Sequence, residues 1–280
     1  MRIYLVSAKM TDSTSLESIQ KIKDELSRID DHKKKARITR FIVSAMGSIP
    51  WVGGFMGASA ALHSEKEQDK VNDLQRLWFE EHQRKIEELA KTIFQIINRL
   101  ESTGANSQKR IESEEYLALV SKGFREWDIS ETFEKKEYIR KLLTNACATT
   151  ISTDDLIRLF IDWIRTYHET HFMVIKEIYK NRGITRGQIW RNLNPVRPRE
   201  DSVEADLYKL LIRDLSTGGI IRQHRAVDYD GNFIRKKPIK RSNSGAYKSA
   251  FDEVEEYELT ELGKQFVHYT MEDVITRLGD

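Results

Sequence analysis

A single cysteine, Cys147, stands in 280 residues, so no internal disulfide can form and the chain suits a reducing cytoplasm. Its surroundings, Leu142 to Thr150 (LLTNACATT), are helical in pattern and mostly apolar, which predicts a buried small residue and not a nucleophile. Also missing are a P-loop, a G-x-G-x-x-G fingerprint, H-E-x-x-H, paired C-x-x-C motifs and G-x-S-x-G. Scattered Asp and Glu do not assemble an acid–base pair by spacing alone. The expectation is a non-enzymatic protein without a cofactor. His168 and His171 sit three apart on one predicted helix, but with no third ligand nearby they read as a structural pair and not a metal site. Met1 to Met10 (MRIYLVSAKM) has no proper apolar core or cleavage site for a signal peptide, and is expected to be a short strand or a tail.

The most telling absence is of charge. About a third of the chain is charged, yet nothing between Arg40 and Glu65 is, counting histidine as neutral. Phe41 to Leu62 reads FIVSAMGSIPWVGGFMGASAAL: ten strongly apolar residues, four Ala, four Gly, three Ser and one Pro. The length suits a membrane span, but Pro50 and the pair Gly53-Gly54 fall in its middle and would break a helix. A turn at Ser48 to Gly54 gives two long antiparallel helices, roughly 15–48 and 53–101, as a helical hairpin with an apolar tip at 41–62. The first arm follows a capping box at Thr14 and Glu17 and shows Leu16, Ile19, Ile22, Leu26 and Ile29 on one face. The second carries Val71, Leu74, Trp78, Ile86, Leu89, Ile93, Ile96 and Leu100, with a weak turn at His82 and Lys85.

Tip candidates are Phe41, Ile42, Ile49, Pro50, Trp51, Val52, Gly53, Gly54, Phe55, Gly57 and Ala61. Gly53, Gly57 and Ala61 recur every four residues, a spacing that lets helix backbones approach closely. The stretch 53–61 resembles the glycine zippers of membrane-inserting helices; that resemblance implies lipid insertion or oligomerisation. The alternative is a soluble tip buried by another domain or subunit. Lys33, Lys34, Lys35, Arg37 and Arg40 precede the segment and suit either an anionic membrane surface or a solvated helix face.

Residues 102–113 read as a polar linker and 114–170 as a helical middle segment. Predicted helices cover Glu114–Trp127, Glu131–Ala148 and Thr153–Arg182, the last unbroken, with aromatics at helical spacing that belong to a core. From 171 to 280 the pattern changes. Gly183 is placed as a helix C-cap, and Ile184–Trp190 makes a short helix. A third helix is capped by Ser202 and expected to bury Leu207, Leu210, Leu211 and Leu215. Gly218-Gly219 then turns into a strand at 220–224, a long basic loop follows, a return strand lies at 256–259, and Thr260 starts a last helix.

LIRDLSTGGIIRQH at 211–224 and YELTELGKQFV at 257–267 resemble the third-helix-to-wing junction and the L-T-x-x-G helix start of bacterial winged-helix proteins. The resemblance implies a mainly α protein ending in a winged-helix (α+β) domain. From Arg182 to Lys248 there are 15 basic and 7 acidic residues, a local net of +8. Arg222, Arg225, Arg235, Lys236, Lys237, Lys240 and Arg241, interleaved with Tyr229, Phe233 and Tyr247, are the candidates for nucleic-acid contact through the wing. The outward residues of the third helix include Glu204, Asp206, Lys209, Arg213 and Asp214, a mixed set unlike a base-reading helix, and the acidic cluster from Asp252 to Glu261 is placed to neutralise the wing. Three readings stay open. One is a hairpin effector at the inner membrane, peripheral or integral, governed by the C-terminal domain. A second is a DNA-binding regulator dimerising through its long helices; a third is a soluble scaffold. A homo-oligomer and a protein partner fit all three.

Overall fold

The computed structural model describes residue 24 and residues 32–54, 73–101, 109–148, 152–226, 228–230, 232–234 and 249–272. The protein is mainly helical with one small antiparallel sheet. It divides into two compact units, residues 1–165 with 272–280, and residues 166–271.

In the first unit α1 (His32–Gly47), α2 (Asp73–Glu101), α3 (Glu114–Ile129), α4 (Phe133–Ala148) and α5 (Asp154–Thr166) share a core. Among the described residues, α1 and α2 pack mainly on other helices and not on each other. α1 packs on α3 and α2 on α4, with a smaller contact between α1 and α2. Small groups allow the α1–α3 approach: Ala45 is buried, and the Ser44 hydroxyl bonds the Leu117 carbonyl (2.9 Å) and the Ser121 hydroxyl (2.7 Å). Ile86, Leu89, Ile93, Ile96 and Leu100 of the predicted α2 stripe are buried. α3 starts at Ser113, whose hydroxyl accepts the Tyr116 amide, so the expected linker ends as a cap. Cys147 is buried, and burial pushes its thiol pKa up to about 12.

The described part of the charge-free segment, residues 41–54, turns one face into this core, while Val43, Pro50, Gly53 and Gly54 are exposed. Phe41, Ile42, Ile49 and Val52 are buried; Phe41 stacks on Tyr116 and meets Phe124 edge-on, both at 6.4 Å between centroids. Helix resumes at Pro50, where the missing N–H costs nothing at a first turn, and continues to Gly54. Trp51 donates its indole N–H to Asp128 Oδ1 (2.7 Å) and meets the His82 ring edge-on at 4.9 Å. The weak turn in the α2 stripe is thus where His82 receives Trp51. Gly53 and Gly54 are exposed; Phe55, Gly57 and Ala61 lie outside the described residues. No helix among the described residues is long and apolar enough to cross a membrane.

The second unit runs α6 (Glu169–Lys180), β1 (Ile184–Thr185), α7 (Arg186–Leu193), α8 (Val203–Thr217), β2 (Ile221–Gln223), β3 (Glu256–Leu259) and α9 (Glu261–Thr270). The sheet order is β1-β3-β2, both pairings antiparallel. The structure corrects four expectations. The predicted helix Thr153–Arg182 breaks at Tyr167–His168, because the His168 amide is taken by His171 Nδ1 (3.1 Å), a side-chain cap that starts a new helix. Ile184 and Thr185 form a strand and not the start of a helix. Thr185 is the N-cap of α7, extended at φ −89° and ψ 163°, and that geometry lets it pair with Glu256. The α6 cap falls at Asn181, and Gly183, at φ +73°, makes the turn into β1. On α8 the inward face is Ala205, Tyr208, Leu211, Ile212 and Leu215; Leu207 is 48% exposed and Leu210 is exposed too.

The L-T-x-x-G motif has a packing explanation. Thr260 accepts the Gly263 amide with its hydroxyl (2.9 Å) and donates that hydroxyl to the Gly219 carbonyl (2.6 Å), while its own amide bonds the Ile220 carbonyl (2.9 Å). A β-carbon on Gly263 would sit 2.2 Å from the Ile220 carbonyl oxygen, so only glycine lets α9 approach β2 this closely.

Candidate functional site

Lys209, Arg213, Ser216 and Thr217 are spaced four, three and one apart, which puts them on one face of the C-terminal half of α8. That face borders a concavity of about 640 Å3 whose other walls are β2 and the segment that follows it. Arg186, Arg222 and Arg225 also line it, giving, among the described residues, five basic side chains and no acidic one in the lining. Ile221, Tyr257 and Phe233 supply its apolar surface.

Each wall is held from behind. Arg186, the first residue of α7, donates Nε to the hydroxyl of buried Tyr257 (2.8 Å) and lies over that ring at 5.2 Å. Arg222 projects from β2, donates Nε to Glu258 Oε1 across the ladder (2.6 Å) and stacks over Phe233 at 5.3 Å. Arg225 lies over the same ring at 5.9 Å. The loop carrying Phe233 is shaped by its own bonds: Asp228 N–H to the Asn232 carbonyl, Ile234 N–H to the Ala226 carbonyl, and Asp228 Oδ1 accepting the Asn232 amide at 2.8 Å.

The acidic cluster after the loop is held in side-chain bonds, two of them to Arg222 and Gln223 of the concavity wall. Glu258 is buried enough to disfavour its charge, but bonds from His224 and Arg222 outweigh this and hold its carboxyl below the usual carboxylate value. Glu255 accepts from Gln223, and Glu253 pairs with Arg191. Along α8, Asp206 and Asp214 stand 3.5 and 4.0 Å from Lys209 and Arg213. Such exposed pairs are weak and exchange readily.

Of the predicted contact residues, the structure brings Arg222 and Arg225 together at this site; Arg235, Lys236, Lys237, Lys240 and Arg241 lie outside the described residues. The contributions of Arg186, Lys209, Arg213 and Tyr257 were not anticipated. The four-residue spacing of Lys209 and Arg213 was the available signal; Arg186 and Tyr257 have none, because strand pairing brings them in. Leu207 lines a second, apolar recess of about 240 Å3 with Met173, Trp190 and Leu193.

Among the described residues, no group of three or more His, Cys, Asp or Glu side chains is placed to hold a metal ion. His171 is buried, with Nε2 3.9 Å from Asp214 Oδ2. Burial lowers its pKa and His168 adds to this, against the raising effect of Asp214. No protein family, curated protein or solved structure matches the chain.

Proposed function

We propose that residues 166–271 form a winged-helix domain and that the protein is a non-enzymatic nucleic-acid-binding protein, using the α8–β2 concavity to hold phosphates. The helix–strand–helix–helix–strand–loop–strand order with a β1-β3-β2 sheet supports the fold reading. The observation that carries the function is the convergence of five cationic side chains on one concave surface, three of them also paired at its rim with Asp206, Asp214 and Glu258. Cations so placed gain by releasing counterions from phosphates. The α-helical unit then serves as the platform for self-association or a protein partner. This reading is preferred to lipid insertion because Phe41, Ile42, Ile49 and Val52 already have apolar partners inside the first unit.

The test is fluorescence anisotropy with oligonucleotides of arbitrary sequence over a salt series. Binding should weaken log-linearly with salt. Arg213→Ala and Arg225→Ala, both at exposed positions, should each lower the slope by about one and leave the melting temperature in place. Salt-independent binding, or an unaltered slope in the double variant, would remove the proposal.

A further inference from the structure

We infer that the concavity is a nucleotide pocket, receiving one phosphorylated nucleotide with its base against Phe233, and not a bed for the duplex backbone. The inference rests on the nucleic-acid reading above and specifies its ligand. Three observations carry it. The first is shape: at about 640 Å3 the recess falls within the range of small-ligand sites, roughly 300–1,000 Å3. A duplex backbone is a continuous ridge and needs no such recess.

The second is the division of chemistry within it. Lys209, Arg213 and the Thr217 hydroxyl gather on the α8 wall as donors that a phosphate group accepts from, while the Ser216 hydroxyl donates to the Ile212 carbonyl (2.7 Å). The opposite wall is Phe233, about half exposed, with the Arg222 and Arg225 guanidinium groups already stacked on its ring. An aromatic ring with planar cations is a stacking platform for a base, and every base has a π-face to offer.

The third is what α8 presents elsewhere. Its N-terminal half exposes Val203, Glu204, Asp206 and Leu207, and Asp201 stands just before it. Carboxylates repel phosphates, and leucine and valine offer no hydrogen bond to a base edge. The end of the helix that would enter a major groove is therefore unsuited to it, while the face that closes the recess presents Lys209 and Arg213. A nucleotide not locked in a duplex reaches the recess without that repulsion. Its source is either an unpaired or terminal residue of a strand or a free nucleotide, and the two share the same contacts.

The experiment titrates the full chain with a single-stranded oligonucleotide, a blunt duplex of equal length, and a nucleoside monophosphate beside its nucleoside. The single strand should bind about tenfold more tightly than the duplex. Phe233→Leu should remove most of that margin and Phe233→Trp should keep it, with unchanged melting curves in both. Displacement of the strand by the monophosphate, but not the nucleoside, identifies a free nucleotide as ligand; strand binding without displacement identifies a strand residue. Equal affinity for strand and duplex with no effect of Phe233→Leu overturns the inference and leaves the phosphate-binding reading intact. Failure of every nucleic acid and nucleotide to bind overturns both.

Discussion

Replacing Phe41 with alanine probes whether the charge-free segment is core. The ring is 1% exposed, stacked on Tyr116 and edge-on to Phe124. Deleting a buried phenyl ring leaves a cavity and costs about 3–5 kcal/mol; the two aromatic pairs place the expected loss near 4 kcal/mol. Val43, two residues along the same helix and 63% exposed, is the matched control, and Val43→Ala should stay within about 0.5 kcal/mol. Urea unfolding followed by tryptophan fluorescence suits the question, since Trp51, Trp78, Trp127 and Trp163 belong to the first unit and only Trp190 to the second. With a slope of about 2 kcal/mol per molar urea, Phe41→Ala should move the midpoint down by roughly 2 M. A neutral Phe41→Ala, or a Val43→Ala that costs as much, would mean that α1 does not pack as described. If Val43→Asp abolished sedimentation with anionic liposomes while Phe41→Ala changed nothing, the segment would belong to lipid.

Trp51→Phe keeps the ring but loses the bond to Asp128, and should cost the first unit about 1–2 kcal/mol by urea titration. Gly263→Ala forces a methyl group onto the Ile220 carbonyl and should destabilise the second unit by about 3 kcal/mol, read by Trp190 fluorescence on heating. The second unit should also lose stability as pH falls through the unfolded histidine value of 6.5, because buried His171 binds its proton less readily when folded and its Nδ1 must keep accepting the His168 amide. Flat stability between pH 7 and pH 5 would contradict this. Cys147 should resist iodoacetamide in the native protein and react once urea exposes it, as burial and a pKa near 12 require.

Much of the local structure was readable because its causes are local. Ser202 and Thr260 announced helix starts through side chains that reach their own third amide. From Ile86 to Leu100 the α2 stripe followed helical spacing into the core. The failures share one origin. Histidine is not a standard N-cap, so the break at His168 gave no warning, and β1 is only two residues long and exists because β3 lies beside it. Leucine type alone suggested that Leu207 and Leu210 were buried, whereas the phase of Tyr208, Ile212 and Leu215 decides which side of α8 faces inward. For the candidate site, Arg222 and Arg225 were legible as part of a basic run. Arg186 was not, being 36 positions before Arg222 and brought near it by the sheet.

The chain by itself determined a mainly helical protein with a charge-free stretch, a change of pattern before the last hundred residues and a basic loop, since composition, periodicity and capping act over a few residues. Tertiary structure decided where the apolar stretch spends its side chains and which cations meet. Phe41 is buried because Tyr116 and Phe124 are there to cover it. Lys209 and Arg222 share a recess because α8 packs against β2. Neither outcome is a property of the segment alone, because burial and electrostatic convergence depend on what a distant part of the chain brings to the same place.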